Sequence, residues 1–312
     1  MGPFFFCSIL CSQFIRTFKH KSEELRLVRL LSVQQWLKNG LILIPALFAV
    51  SNWNPDLIIH LTLAILGFSS LASAVYINND LLDKPMDRLH PEKCSRLIAS
   101  DEVSTRHAIW TAFVLLGLGC TLLMNISLEV GIAGLLYVGL NIFYSLLGKH
   151  IALLDLVCIL TGYWIRLWIG SEIAQVPLSF WVLGIVGLLA TYLVLIKRLG
   201  DVQVFENSGV VTRKTVSFYA SLPLKIVLKC WAGLIAGSYL AYIVNVFHGS
   251  ASEFPIWAYA TVPLVFFVLW SYNRKAMQDA KRDPLSLLLA DPLILLFLGL
   301  SLLLLMYTLY LA

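Results

Sequence analysis

Residues 76–96 read YINNDLLDKPMDRLHPEKCSR. The span holds Asp80, Asp83, Asp87 and Glu92, four of only 18 acidic residues in a chain of 312, together with Lys84, Arg88, Lys93 and Arg96. Long apolar runs lie on either side. At 100° per residue, Asp80, Asp83 and Asp87 fall within about 60° of one another on a helix. Three like charges on one face repel, so the arrangement suits a cation. Oxygen-only donors point to Mg2+, which takes one or two protein carboxylates and completes its octahedron with water and substrate phosphate. The pattern therefore predicts a phosphorylated or diphosphorylated ligand. Asn78 and Asn79 would add neutral contacts, and Lys93 and Arg96 would bind phosphate oxygens the metal does not reach. The plainer alternative is a solvated, mixed-charge loop. Pro85 removes one hydrogen bond and predicts a kink or a helix end at Lys84.

Composition decides the class of the chain. It is 59% hydrophobic and 13% charged, with a formal net charge of +5; an average soluble domain is roughly 25% charged. That excludes an ordinary soluble domain and points to an integral membrane protein with no nucleic-acid partner. The six cysteines are scattered without a CxxC pair and imply neither a disulfide framework nor a zinc site. Residues 1–25 are expected to form a disordered or interfacial extension. Their apolar run is too short to span a bilayer, and Arg16, Lys19 and Lys21 follow it instead of preceding it.

Residues 26–312 are expected to form one all-α, polytopic transmembrane domain. A hydrocarbon core about 30 Å thick needs about 20 apolar residues per helix. Nine candidate spans follow: 34–50, 57–78, 106–125, 129–147, 152–171, 179–196, 222–246, 255–272 and 287–310. With the N-terminus inside, loops 79–105, 148–151, 197–221 and 273–286 carry Lys84, Arg88, Lys93, Arg96, Lys149, Lys197, Arg198, Arg213, Lys214, Arg274, Lys275, Lys281 and Arg282. The outside loops 51–56, 126–128, 172–178 and 247–254 carry no Lys or Arg. This segregation predicts a cytoplasmic N-terminus and charged segments facing the cytoplasm.

Other charges have two readings each. Lys197, Arg198 and Asp201 end the sixth span. They are either cations placed against a helix dipole, or a second half-site with Asp201 for metal and Lys197 and Arg198 for anionic oxygens. Asp155 and Arg166 share a side of the fifth span, about 16 Å of rise apart, and cannot pair. Ionisable groups in a span usually face a polar cavity. Asp155 would reach the site, while Arg166 is either a hydrogen-bond hub or a ligand contact. Trp36 and Lys38 suit an interfacial anchor, yet Gln35, Lys38 and Asn39 share a face that could turn inward. Tyr144 and Lys149 are similarly open, and His90 reads as a solvent-exposed loop histidine.

The stretch NDLLDKPMDRLHPEKCSRLIAS (79–100) resembles the first aspartate-rich motif of the UbiA-type prenyltransferase superfamily, N-D-x-x-D-x-x-x-D-R followed by P-x-K and R-P-I-A-S. Leu97 stands where that pattern has proline. QQWLKN (34–39), YSLLGKH (144–150), LLDLVCILTGYWIR (153–166), VLIKRLGD (194–201) and TRKTVSFY (212–219) resemble the decaprenyl-phosphate (polyprenyl-phosphate) phosphoribosyltransferase branch. That branch commonly has glutamate where this chain has Asp201.

The resemblance implies a nine-helix UbiA-type fold in a bacterial cytoplasmic membrane. It implies Mg2+ at Asp80, Asp83, Asp87 and Asp201. Substrate contacts would come from Lys38, Asn39, Asn79, Lys93, Arg96, Tyr144, Lys149, Asp155, Arg166, Lys197 and Arg198. The expected reaction moves a 5-phosphoribosyl group from phosphoribosyl diphosphate to a polyprenyl phosphate lipid. Prenyl transfer from a prenyl diphosphate to an aromatic or quinone-precursor acceptor is the alternative enzyme reading. A transporter is the alternative of another class, and a homo-oligomer is left open.

Overall fold

A computed structural model of the chain describes residues 23–49, 52–88, 93–209, 214–247, 255–279 and 284–310. The expected extension therefore lies outside the described residues up to position 22. The described residues are helical, with no strand among them: α1 (Glu23–Leu30), α2 (Leu43–Leu47), α3 (Pro55–Asp87), α4 (Thr105–Met124), α5 (Leu128–Leu146), α6 (Leu154–Ala174), α7 (Phe180–Ser208), α8 (Val216–Ala220), α9 (Leu224–Phe247), α10 (Pro255–Gln278), α11 (Pro284–Leu289) and α12 (Pro292–Tyr310). Eight of them, α3 to α7, α9, α10 and α12, are long and apolar enough to cross a membrane. Eight of the nine expected spans thus exist as long helices.

The first expected span, 34–50, takes another form. It is a 3₁₀ helix over Val33–Ile42 followed by the short α2. The packing against α3 explains why. Trp36 Nε1 donates to Ser73 Oγ at 2.9 Å, and Asn39 Nδ2 donates to Ser69 Oγ at 2.9 Å. Three residues of 3₁₀ helix and four of α-helix both rise about 6 Å, so the two bonds stay in register only if 33–42 is wound at three residues per turn. The whole stretch advances about 27 Å at these rises. The ninth expected span is also divided. Helix α11 stops at Leu289, and Asp291 Oδ1 accepts from Leu293 N at 2.9 Å to start α12.

Residue contacts group the chain into two compact units. The first unit comprises 1–44, 53–147 and 168–174. In it α3 packs on α4, on α5 and on the 3₁₀ segment. Asn54 caps α3 by accepting from Leu57 N at 2.7 Å, and Pro55 opens the helix where its missing donor is harmless. Glycine lets α3 and α4 touch: a Cβ on Gly119 would lie 2.7 Å from Gly67 O and 2.6 Å from Leu71 Cδ2. At about 1.5 Å per residue α3 is about 50 Å long, so its last turns extend beyond a hydrocarbon core about 30 Å thick unless it tilts steeply.

The helix does not end at Lys84; α3 runs through Pro85 to Asp87. Proline here removes only one hydrogen bond near the helix end. Tertiary contacts hold that end. Lys84 Nζ meets Asp101 Oδ1 at 2.7 Å and Thr105 Oγ1 at 3.1 Å, and Arg88 Nε donates to Ala99 O at 3.0 Å.

The second unit comprises 45–52, 148–167 and 175–312. Here α9 packs on both α7 and α10, α10 packs on α12, and α11 joins them. Its core includes Tyr192, Ile196 and Leu199 of α7, Leu228 and Ile235 of α9, Leu269 and Tyr272 of α10, and Ile294 of α12. Helix α7 ends at Gly209, whose φ of 68° suits glycine and whose N–H donates to Phe205 O at 2.8 Å.

Candidate active site

The end of α3 and the following loop form a charged cluster within the first unit. Arg96 Nη1 reaches Asp80 Oδ1 at 2.9 Å and Asp87 Oδ2 at 2.8 Å, so one guanidinium nitrogen joins two carboxylates. Asp87 is nearly enclosed, at 6% side-chain exposure, whereas Asp80 is at 33% and Arg96 at 41%. Asp83 is half-buried on the same helix, and Lys93 is half-buried in the 3₁₀ turn Lys93–Ser95. Asn79 Oδ1 accepts from Ser145 Oγ of α5, beside half-buried Tyr144. His90 and Glu92 lie outside the described residues.

The loop that carries Arg96 is fastened at both ends. Arg29 Nη2 donates to Ser95 O at 3.1 Å, and Asp101 bridges Lys84 and Arg88. Asp101 has φ 60°, the left-handed region that Asp tolerates better than most residues. The hydrogen bond from Lys84, reinforced by the charge on Arg88, holds its carboxyl below the ordinary range. Sequence reading missed this clamp, because Asp101 lies outside the aspartate run and its partners are set by the loop's path.

A second cluster lies within the second unit. Arg198 Nη1 meets Asp201 Oδ2 at 3.0 Å, one turn along α7, and Arg198 Nη2 meets Asp155 Oδ2 at 2.7 Å. Tyr219 of α8 donates its hydroxyl to Asp155 Oδ1 at 3.0 Å, and its ring lies 5.7 Å from the Arg198 guanidinium carbon. Burial first, then the Asp155 carboxylate, pushes the Tyr219 phenol upward, which keeps it a donor. Lys197 is exposed, and Lys149 is half-buried in the 3₁₀ turn Gly148–His150.

Four residues expected at the substrate are enclosed. Asn39 is 0% exposed and bonded to Ser69; Asp155 is 0% and Arg198 2%, bonded as above. Arg166 is 4% exposed; its Nη1 donates to Gly162 O at 2.7 Å and its guanidinium lies 5.9 Å from the Tyr163 ring. These two contacts lie within its own helix, α6. Lys38 is half-buried on the 3₁₀ helix.

Among the described residues, no three His, Cys, Asp or Glu side chains converge closely enough to hold a metal by themselves. The donor set still fits Mg2+, which needs only one or two carboxylates. Asp80 and Asp87 already share one cationic partner, and Asp201 remains partly exposed at 21%.

Comparison with known proteins agrees with this architecture. Over 247 residues the chain is 26% identical to decaprenyl-phosphate phosphoribosyltransferase of Corynebacterium glutamicum, covering 78% of this chain and 74% of that one. It is 31% identical over 209 residues to the protein of that name from Mycolicibacterium smegmatis, covering 64% of each. A UbiA homolog from Archaeoglobus fulgidus, solved bound to GPP and Mg2+, superposes with a TM-score of 0.64 at 18% identity, covering 92% of this chain and all of that one. The model of the UbiA prenyltransferase family matches residues 40–290. An all-helical, multi-pass membrane transferase with its aspartate motif on α3, the chain belongs to the UbiA prenyltransferase family.

Proposed function

We propose that this enzyme moves a 5-phosphoribosyl group from phosphoribosyl diphosphate to a polyprenyl phosphate. The observation that carries this reading is the similarity to two decaprenyl-phosphate phosphoribosyltransferases, at 26% and 31% identity. The charge inventory supports it. Donor and acceptor together bring a diphosphate, a 5-phosphate and a lipid phosphate. The exposed or half-buried cations Lys38, Lys93, Arg96, Lys149 and Lys197 match three anionic groups better than they match a neutral aromatic acceptor.

In the reaction the ribose C1–O bond breaks, and the diphosphate leaves with its electron pair. An acceptor phosphate oxygen forms the new C1–O bond. That oxygen is already anionic, so no strong general base is needed. In the first unit Asp80 and Asp87 would hold magnesium, with Asp83 beside them; in the second unit Asp201 would be the metal-holding carboxylate. Bound magnesium supplies neutralising charge to the departing diphosphate. In the first unit Arg96, held at the carboxylate pair, and Lys93 would bind phosphate oxygens; in the second unit Lys197 would do so. The segregation of lysine and arginine supports a cytoplasmic site in the bacterial cell membrane.

The test gives purified protein magnesium, labelled phosphoribosyl diphosphate and a long polyprenyl phosphate. A labelled lipid is expected. Asp80→Asn, Asp87→Asn and Asp201→Asn should each lower turnover about 10–100-fold at limiting magnesium. No labelled lipid at any acceptor length, with turnover of a prenyl diphosphate onto an aromatic acceptor instead, would replace this reading with prenyl transfer.

A further inference from the structure

The cluster on α7 has a division of labour that its charges alone do not reveal. Asp155 uses both oxygens inside the protein, one on Tyr219 and one on Arg198, and is 0% exposed. Arg198 is 2% exposed, with one nitrogen on each of two carboxylates. Neither can reach a ligand without breaking these contacts. Asp201, with 21% of its side chain exposed, is the cluster's outlet.

The arrangement also explains how a carboxylate and a guanidinium tolerate enclosure. Asp155 sits in the first turn of α6, where the helix dipole favours negative charge. Tyr219 donates a hydrogen bond to one of its oxygens, and Arg198 supplies the counter-charge beside the other. An Arg198–Asp201 pair one turn apart on an open helix would be loose, because both side chains rotate freely. Clamped from behind by Asp155 and flanked by the Tyr219 ring, Arg198 has little rotational freedom, and the oxygen it binds on Asp201 is fixed with it.

We propose that Asp155 and Tyr219 are positioning residues that act through Arg198 to aim the Asp201 carboxylate at a bound divalent cation. Arg198 then serves the scaffold of the site and does not contact substrate phosphate; exposed Lys197, its chain neighbour, takes that role. The inference rests on the metal reading above, but not on the identity of the donor.

The test reads cation binding directly. Full-length protein in detergent is titrated with Mn2+ in the presence of inorganic diphosphate, and bound manganese is followed by electron paramagnetic resonance. Tyr219→Phe deletes one oxygen and keeps the ring; it should weaken Mn2+ binding about 10-fold, the usual effect of losing an outer-shell partner. Asp201→Asn should weaken it at least as much. The double variant should bind no worse than Asp201→Asn alone, since Tyr219 acts only through Asp201. Half-saturating polyprenyl phosphate should not move in Tyr219→Phe.

Wild-type Mn2+ binding by Tyr219→Phe, or effects that multiply in the double variant, would overturn the proposal. So would an Arg198→Lys protein whose Mn2+ binding is intact while its diphosphate binding is weakened, because that marks Arg198 as a direct anion contact. A Tyr219→Phe chain that fails to fold would assign Tyr219 to the scaffold and overturn its positioning role. Absence of Mn2+ binding in the wild type sinks the metal reading and this inference together. Normal Mn2+ behaviour without phosphoribosyl transfer sinks only the donor assignment.

Discussion

Removing the guanidinium between Asp80 and Asp87 should destabilise the metal-free protein by an amount the geometry bounds. Arg96 Nη1 lies 2.9 Å from one carboxylate oxygen and 2.8 Å from the other. Unit charges about 4 Å apart attract by about 4 kcal/mol at an effective dielectric of 20. Exposed pairs are measured at about 0.2–1 kcal/mol, while removing one partner from a buried pair costs about 3–5 kcal/mol. Asp87 is 6% exposed but Arg96 is 41% exposed, so the site lies between these limits. Arg96→Ala should therefore cost about 1–3 kcal/mol. The thermal midpoint in chelator-treated detergent solution should fall by roughly 2–6 °C for a chain of this size. Magnesium plus diphosphate should narrow the gap, because a divalent cation then neutralises the two carboxylates that Arg96 neutralised. Equal midpoints in chelator would refute the assignment of Arg96 as their shared counter-ion. A gap that magnesium leaves untouched would refute the metal's place at this pair.

Two further perturbations test the scaffold of the first unit. Gly119→Ala would put a Cβ 2.7 Å from Gly67 O, a backbone atom that cannot rotate away, and should destabilise by about 1–3 kcal/mol. Gly139→Ala, with nothing within 4 Å of its Cβ, should leave the midpoint unchanged or raised; equal losses in both would show that α3 and α4 do not approach so closely. Asp101→Asn keeps a side chain that tolerates φ 60° and removes only the charge that Lys84 and Arg88 engage. Because the folded protein holds this carboxyl below its ordinary 3.8, its stabilisation is complete above that value and is lost as pH falls through the depressed folded value. The midpoint difference between wild type and Asp101→Asn should thus be full at about pH 6 and shrink as the pH falls below the ordinary carboxyl range. A difference independent of pH would show that the clamp does not depend on the Asp101 charge.

The class of this molecule was legible in order and composition alone. Runs of about 20 apolar residues can only be membrane helices when so little charge interrupts them, and the aspartates of 80–87 stand on one helix face by periodicity. Eight of the nine spans follow from this, since hydropathy is a local sum that needs no knowledge of distant partners. The exceptions are informative. Residues 33–42 wind as a 3₁₀ helix to keep Trp36 and Asn39 on Ser73 and Ser69, more than 25 positions away in the chain. Helix α3 survives Pro85 where Asp101 and Ala99 fasten its end.

Pairing of charges was decided by tertiary structure. From its place in the fifth span Asp155 reads as able to reach a ligand, and Arg166, on the same side of that span, is too far along it to pair. In the folded unit Asp155 instead meets Arg198 and Tyr219, the latter 64 residues distant. A charged side chain in a chain of low polarity takes whichever counter-charge and hydrogen-bond donor packing brings within about 3 Å. Residue type and spacing named the chemistry available to this enzyme, but which groups face a ligand and which hold other groups in place depends on segments that meet only after the helices pack.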